Sequence, residues 1–219
     1  MPRLARIVVP GVPHHVTQRG NRKEQTFFND EDYALYRSLL GEAAKKAGAE
    51  VWAYVLMPNH VHAIVVPKDE DGLRQTFADA HRRYTNHINK RNGWTGHLWQ
   101  GRFGSMAIDG DHVVNAAKYI SLNPVRAKLV KKPEDWKWSS VAAHLAGKDD
   151  ELVTVKPLLD QVPDFANFVH EPADDALFAD LRRSEKTGRP VGSSDWMTAM
   201  ERQVGRPIVL RKRGPKPKG

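Results

Sequence analysis

The sequence predicts an α+β fold: a ferredoxin-like (RRM-like) split βαβ sheet followed by an extended C-terminal appendage. Three observations predict it. β-rich runs and amphipathic helical stripes alternate in the order β-α-β-β-α-β-α between residues 14 and 129. Two of the β-rich runs, 50–57 and 60–66, meet at Pro58-Asn59, which reads as a hairpin. After about residue 148 the composition changes: seven of the fourteen prolines fall in the last 70 residues. The chain therefore divides into a main domain, 1–147, and a C-terminal extension, 148–219.

The first strand is His14-His15-Val16-Thr17-Gln18-Arg19, stopped by Gly20-Asn21. Asn29 is placed to cap a helix over 30–47, whose stripe is Tyr33, Leu35, Tyr36, Leu39, Leu40 and Ala43, with Gly48 at its end. A second amphipathic helix spans 72–90. Residues 98–108 read as another strand, with Gly101 and Gly104 as irregular points. A third helix covers 111–122. Asn123-Pro124 is expected to interrupt it, because a residue before proline is pushed out of helical geometry. Helices on one face would leave the other face of the sheet open. Short helices are expected near 173–184 and 193–203.

The chain has 219 residues, no cysteine and a net charge of +8. The absence of cysteine excludes disulfides and thiolate chemistry, and is compatible with a reducing cytoplasm. No run of 18 apolar residues is present, so no membrane span is expected. The basic N-terminus has no apolar segment after it, so no secretory signal is expected. Charge is uneven. Residues 1–147 hold 21 basic and 14 acidic side chains, 148–180 hold 2 and 9, and 205–219 hold 6 and none. A basic body and a basic tail suit a polyanion, although composition alone does not separate nucleic acid from other polyanions.

The chemistry centres on Met57-Pro58-Asn59-His60-Val61-His62. In a strand, His60 and His62 project from one face and Val61 from the other. Two neutral imidazoles on a rigid strand make half of a metal site. By themselves, two strand histidines more often simply pack or hydrogen-bond. Downstream, Tyr119 and Asn123 are spaced i and i+4 and share a helix face. A tyrosine oxygen can act as a nucleophile and an asparagine oxygen as a neutral ligand. Two nitrogens and one oxygen suit Mg²⁺ or Mn²⁺, with the nitrogens favouring Mn²⁺. Tyr84 is the rival nucleophile. His14 and His15 lie on opposite faces of their strand, so at most one faces the site, and structural or DNA-contact roles are favoured over ligation. Trp99 and Phe103 either stack on unpaired bases or line the core.

These blocks resemble the single-tyrosine HUH transposases, above all the REP-associated tyrosine transposases of bacteria. The likeness rests on Met57 to His62, on Tyr119-Ile120-Ser121-Leu122-Asn123-Pro124-Val125-Arg126-Ala127, on His14 to Asn21 and on Leu98 to Phe103, in that order. It covers residues 10–145. The resemblance implies an HUH-type sheet in which His60 and His62 hold a divalent metal and Tyr119 attacks DNA, leaving a 5′-phosphotyrosine and a free 3′-OH. Asn123 stands where related enzymes often have glutamine, one methylene longer. The implied substrate is single-stranded DNA folded into hairpins, of the kind formed by REP-like palindromes. Expected DNA contacts are Arg19 and Arg22 after the first strand, Arg82 and Arg83 on the second helix, Trp99 and Arg102, Lys118 and Arg126 on the third helix, and Arg211, Lys212 and Arg213 in the tail. The expected setting is the bacterial cytoplasm, on the nucleoid, as a monomer or homodimer.

Three other readings compete. The chain could be a domesticated hairpin-binding protein without turnover. An RNA-binding module would expose aromatics on the central strand, where this chain has histidines. A zinc hydrolase would need a third strong ligand and a carboxylate, and no Asp or Glu lies close in the His60 block.

Overall fold

The computed structural model describes residues 6–173, 175–205 and 207–208. Strands β1 (His14–Arg19), β2 (Glu50–Met57), β3 (His60–Val66) and β4 (Gly104–Ala107) form one antiparallel sheet in the order β2-β3-β1-β4. This is the split βαβ arrangement, with β3 between β1 and β2. Helices α1 (Asp30–Ala47) and α2 (Gly72–Asn92) cover one face. The Asn29 side chain accepts from the Asp32 amide at 3.0 Å, which satisfies one of the free N–H groups at the start of α1. Gly48 ends the helix at φ 62°, where a side chain would be strained.

Alternation along the strands sorts the side chains. Val16, Val61, Ala63, Val65, Tyr54 and Leu56 point into the layer under α1 and α2, where they meet Tyr36, Leu40, Phe77 and Tyr84. Ala53, Val55, Met57, Ile64 and Met106 point to the opposite face. His15, His60 and His62 share that second face by the same parity, since Thr17 pairs with His62 and Arg19 with His60.

That second face is not open, contrary to the expectation. Helix α3 (Gly110–Arg126) crosses it with Val113, Ala116, Ala117 and Ile120. The appendage then folds back over the rest. Helix α4 (Val141–Ala146) of the main domain brings Val141 to this core, and from the appendage α5 (Lys156–Leu159), α6 (Phe165–His170), the turn ending at Phe178 and α7 (Ala179–Thr187) bring Leu158, Phe165, Val169, Phe178 and Leu181. Val191 bridges to Ile108, and α8 (Ser194–Val204) packs Met200 against Val9 and Ala107. The compositional change near residue 148 therefore does not coincide with a break in the core.

Two local expectations also change. Regular pairing begins only at Gly104, not at residue 98. Gly101 takes φ 63° and Trp99 makes only an isolated bridge to Gly20, so the backbone leaves the extended region before β4. Helix α3 runs through Asn123-Pro124 to Arg126. Pro124 sacrifices one helical N–H, but its buried ring and the continued bonds Ala127 N–H to Asn123 O and Leu129 N–H to Pro124 O keep the turn intact.

Candidate active site

The site lies where the end of β1, the start of β3 and the last turns of α3 meet. The His60 imidazole sits between two asparagines: its Nδ1 is 2.7 Å from Asn59 Oδ1, and its ring hydrogen-bonds the Asn123 side chain. The His60 and His62 rings are 5.1 Å apart and nearly perpendicular. The Tyr119 ring stands edge-on to His62 at 5.4 Å. The structure thus brings His60, His62, Tyr119 and Asn123 together from two elements separated by more than fifty residues.

Burial lowers the pKa of His60 to about 4, helped by Arg19 and opposed by the hydrogen bond of its ring to the Asn123 side chain. His62 is pushed well below the ordinary imidazole range by burial, then by His15, His60 and Arg19. Both rings are therefore neutral at pH 7, the state in which imidazole binds metal. Tyr119 goes the other way. Burial and the Glu185 carboxylate raise its phenol pKa, and Arg126, Arg182 and Arg19 only partly oppose this. The arginines lower the phenol pKa, but less than burial and Glu185 raise it. Arg126 lies over the Tyr119 ring at 5.4 Å, and Phe178 packs against its other edge at 5.2 Å.

Residues 9–123, more than half of the chain, match the sequence model of the family described as Transposase IS200 like. The chain belongs to the IS200-like transposase family. It is 28% identical over 131 residues to the REP-associated tyrosine transposase of Escherichia coli (strain K12), an alignment that spans 58% of this chain and 73% of that protein. It also superposes on the solved structure of a REP-associated tyrosine transposase bound to a REP hairpin. That match has a TM-score of 0.54 and 25% identity, and covers 70% of this chain and 92% of the other.

The structure divides the residues expected to touch DNA. Arg19 is exposed at the end of β1, opposite His60, and Arg22 is exposed just beyond it. Arg126 lies over the Tyr119 ring. Arg102 is exposed on the loop before β4. Arg82 and Arg83 lie on α2, across the sheet from Tyr119, and pair with Asp79 and Glu42. Lys118 is not a surface cation. It is 4% exposed, donates to the Phe168 carbonyl and lies over the Phe168 ring, so it ties α3 to α6. Trp99 is a core residue, packed on His81, Tyr36, Tyr84 and Phe27, and it joins Phe103 in the core under α1 and α2. Tyr84 is buried and donates to the Thr26 carbonyl, which removes it as a nucleophile. Arg211, Lys212 and Arg213 lie outside the described residues. No helix among the described residues is long and apolar enough to cross a membrane.

Two residues at the site escaped the sequence reading. His14 is structural, accepting from the Val9 amide and bonding the Val12 carbonyl. His15 instead faces the site, its Nε2 3.1 Å from His62 Nδ1 and its ring stacked on that of His62. Glu185 on α7 supplies a carboxylate whose Oε1 is 3.7 Å from the same nitrogen. Among the described residues, His15, His62 and Glu185 are a group of metal-binding side chains with donor atoms all within 4.8 Å. Strand parity hinted at His15, since one of two adjacent histidines had to face the site. Nothing near His60 in the sequence pointed to Glu185.

Exposed aromatic surface lies elsewhere. Phe28 and Trp94 meet edge to face at 5.8 Å, beside a groove also lined by Asn21, Arg22 and Asn89. The groove adjoins the β2–β3 turn, because the Gly20 amide donates to Asn59 O and the Thr26 amide to Pro58 O.

Proposed function

We propose that this chain nicks and rejoins single-stranded DNA at hairpin-forming, REP-like palindromes, through a 5′-phosphotyrosine on Tyr119. The observation that carries the reading is the placement of Tyr119 edge-on to His62, with Asn123 one turn along α3 and bonded to His60. A donor set of two neutral imidazoles and an amide oxygen fits a divalent ion such as Mn²⁺ or Mg²⁺. His60, His62 and Asn123 would hold that ion, which when bound would offset negative charge on the scissile phosphate.

The residues of the chain do the rest. The Tyr119 hydroxyl attacks phosphorus in line and loses its proton. The P–O3′ bond breaks, the 5′-phosphoryl stays on Tyr119, and the released O3′ takes up a proton. Arg126 over the ring favours negative charge on the phenol oxygen as attack proceeds. The bond energy is retained in the phosphotyrosine, so a 3′-OH can reverse the step without ATP. Arg19 and Arg22, at the mouth of the site, hold phosphates. Unpaired bases beside the hairpin stack on Phe28 and Trp94 rather than on Trp99.

The test uses the full chain with Mn²⁺ and a single-stranded REP-type hairpin. The wild type should form a protein–DNA adduct that survives SDS, and Tyr119→Phe should bind the hairpin without forming one. Hairpin binding with no adduct from the wild type across hairpin sequences would favour the second reading, a hairpin-binding protein without turnover. One observation favours that reading: Tyr119 is half-buried behind Phe178 and close to Glu185.

A further inference from the structure

We propose that His15, His62 and Glu185 form a second divalent-cation site, of the two-histidine, one-carboxylate kind that takes Zn²⁺, and that the C-terminal extension completes it. It shares only His62 with the ligand set proposed for strand cleavage.

The geometry separates the two sets. His60 is turned to Asn59 and Asn123, whereas His62 presents Nδ1 to His15 Nε2 at 3.1 Å and to Glu185 Oε1 at 3.7 Å. All three donor atoms lie within 4.8 Å of one another. Ligands about 2.0–2.1 Å from a tetrahedral zinc stand roughly 3.3 Å apart, so small side-chain shifts would close the set around an ion. The fourth position is left to a water or an anion.

An unsatisfied polar atom points the same way. Glu185 Oε1 is buried with no hydrogen-bond partner, and His15, whose Nε2 faces the same point, is fully buried. Buried polar atoms without partners are rare and mark a missing water or ion. A carboxylate facing two neutral imidazoles gains little from them directly, whereas a cation between the three would engage Glu185 Oε1, His15 Nε2 and His62 Nδ1 together. Two nitrogens and a carboxylate in a compact group favour Zn²⁺ over Mg²⁺, which prefers six oxygens. The ion would tie α7 to β1 and β3, so metal occupancy and docking of the extension would be coupled. This carboxylate also meets one requirement that the sequence seemed to lack for zinc.

The full chain, without DNA, would be titrated with Co²⁺ as a visible stand-in and then with Zn²⁺. The expected result is Co²⁺ bound with the intense visible absorption of a four-coordinate ion, a band that Zn²⁺ abolishes. Glu185→Gln and His15→Gln should weaken binding by about tenfold or more, whereas His60→Gln should keep both affinity and spectrum. Because His15→Gln could disturb the core, hydrogen exchange on the wild type gives an independent measure: Zn²⁺ should slow exchange across Ala179–Thr187 severalfold. Unchanged binding by Glu185→Gln, or unchanged exchange in α7, would overturn the proposal. So would loss of the ion on His60→Gln alone. Adduct formation on Tyr119 does not enter these readouts, so the two readings can fail separately.

Discussion

Replacing Trp99 with alanine decides between a core residue and a base-stacking one. Trp99 is 6% exposed and is enclosed by His81, Tyr36, Tyr84 and Phe27. A large aromatic buries about 150–250 Å², and ~25 cal/mol per Å² converts that to about 4–6 kcal/mol as an upper estimate. Aromatic-to-alanine changes in cores cost roughly 3–5 kcal/mol. The buried Trp99 Nε1 has no acceptor, which lowers the contribution of the residue. We expect a loss of about 4 kcal/mol for Trp99→Ala, and less than about 1.5 kcal/mol for Trp99→Phe, which removes the unpaired N–H and keeps a ring. In urea, with a slope of ~2 kcal/mol per M, the midpoint should fall by about 2 M for the alanine variant. Fluorescence-monitored unfolding and hairpin binding by Trp99→Phe would be measured together. Near-wild-type stability of Trp99→Ala with a 1–3 kcal/mol loss of single-strand affinity, the order expected for base stacking, would refute the reasoning.

Four further outcomes follow from the same structure. His14, His15 and His81 have pKa values lowered by burial to about 4, 4 and 3, against 6.5 when unfolded. Their depressed values stabilise the fold above pH 6.5, and this contribution is lost as pH falls toward 4, so the urea midpoint should drop across that window; a flat profile would contradict their neutral burial. Arg19→Ala should reduce the slope of log affinity against log salt for the hairpin by about one phosphate contact. Lys118→Met should leave that slope unchanged while lowering stability by about 1–2 kcal/mol through the lost bond to the Phe168 carbonyl. Because burial and Glu185 raise the Tyr119 pKa, the rate of adduct formation should climb as pH rises from 7 to 9, and a rate independent of pH would mean that loss of the phenol proton does not limit it.

Much of the fold was legible because its signals are local. Asn29, Gly48, the Pro58-Asn59 turn and period-two alternation each act within a few residues, and α1, β2 and β3 fall where those signals place them. Pro124 misled because the penalty it carries is local, whereas the packing of α3 against the sheet is not. The covered second face was hidden for a related reason. Leu158, Phe165, Val169, Phe178 and Leu181 are scattered among prolines and acids, and only the folded chain gathers them. At the site, strand parity and i,i+4 spacing place His60 with His62 and Tyr119 with Asn123, and α3 brings the pairs together. The fate of Trp99 turned on which face of the sheet its neighbours occupy, which spacing alone leaves open. Glu185 was invisible because α7 reaches His62 across more than 120 residues of chain.

The chemistry proposed for Tyr119 is a covalent bond to the 5′ side of the cleaved strand. Digesting the Mn²⁺-dependent product with protease and nuclease, then sequencing the modified peptide by mass spectrometry, tests it most directly. The expected product carries a nucleotide 5′-phosphate on Tyr119 and a free 3′-OH on the other fragment. A free 5′-phosphate with no modified peptide, or the nucleotide on any other residue, would contradict it.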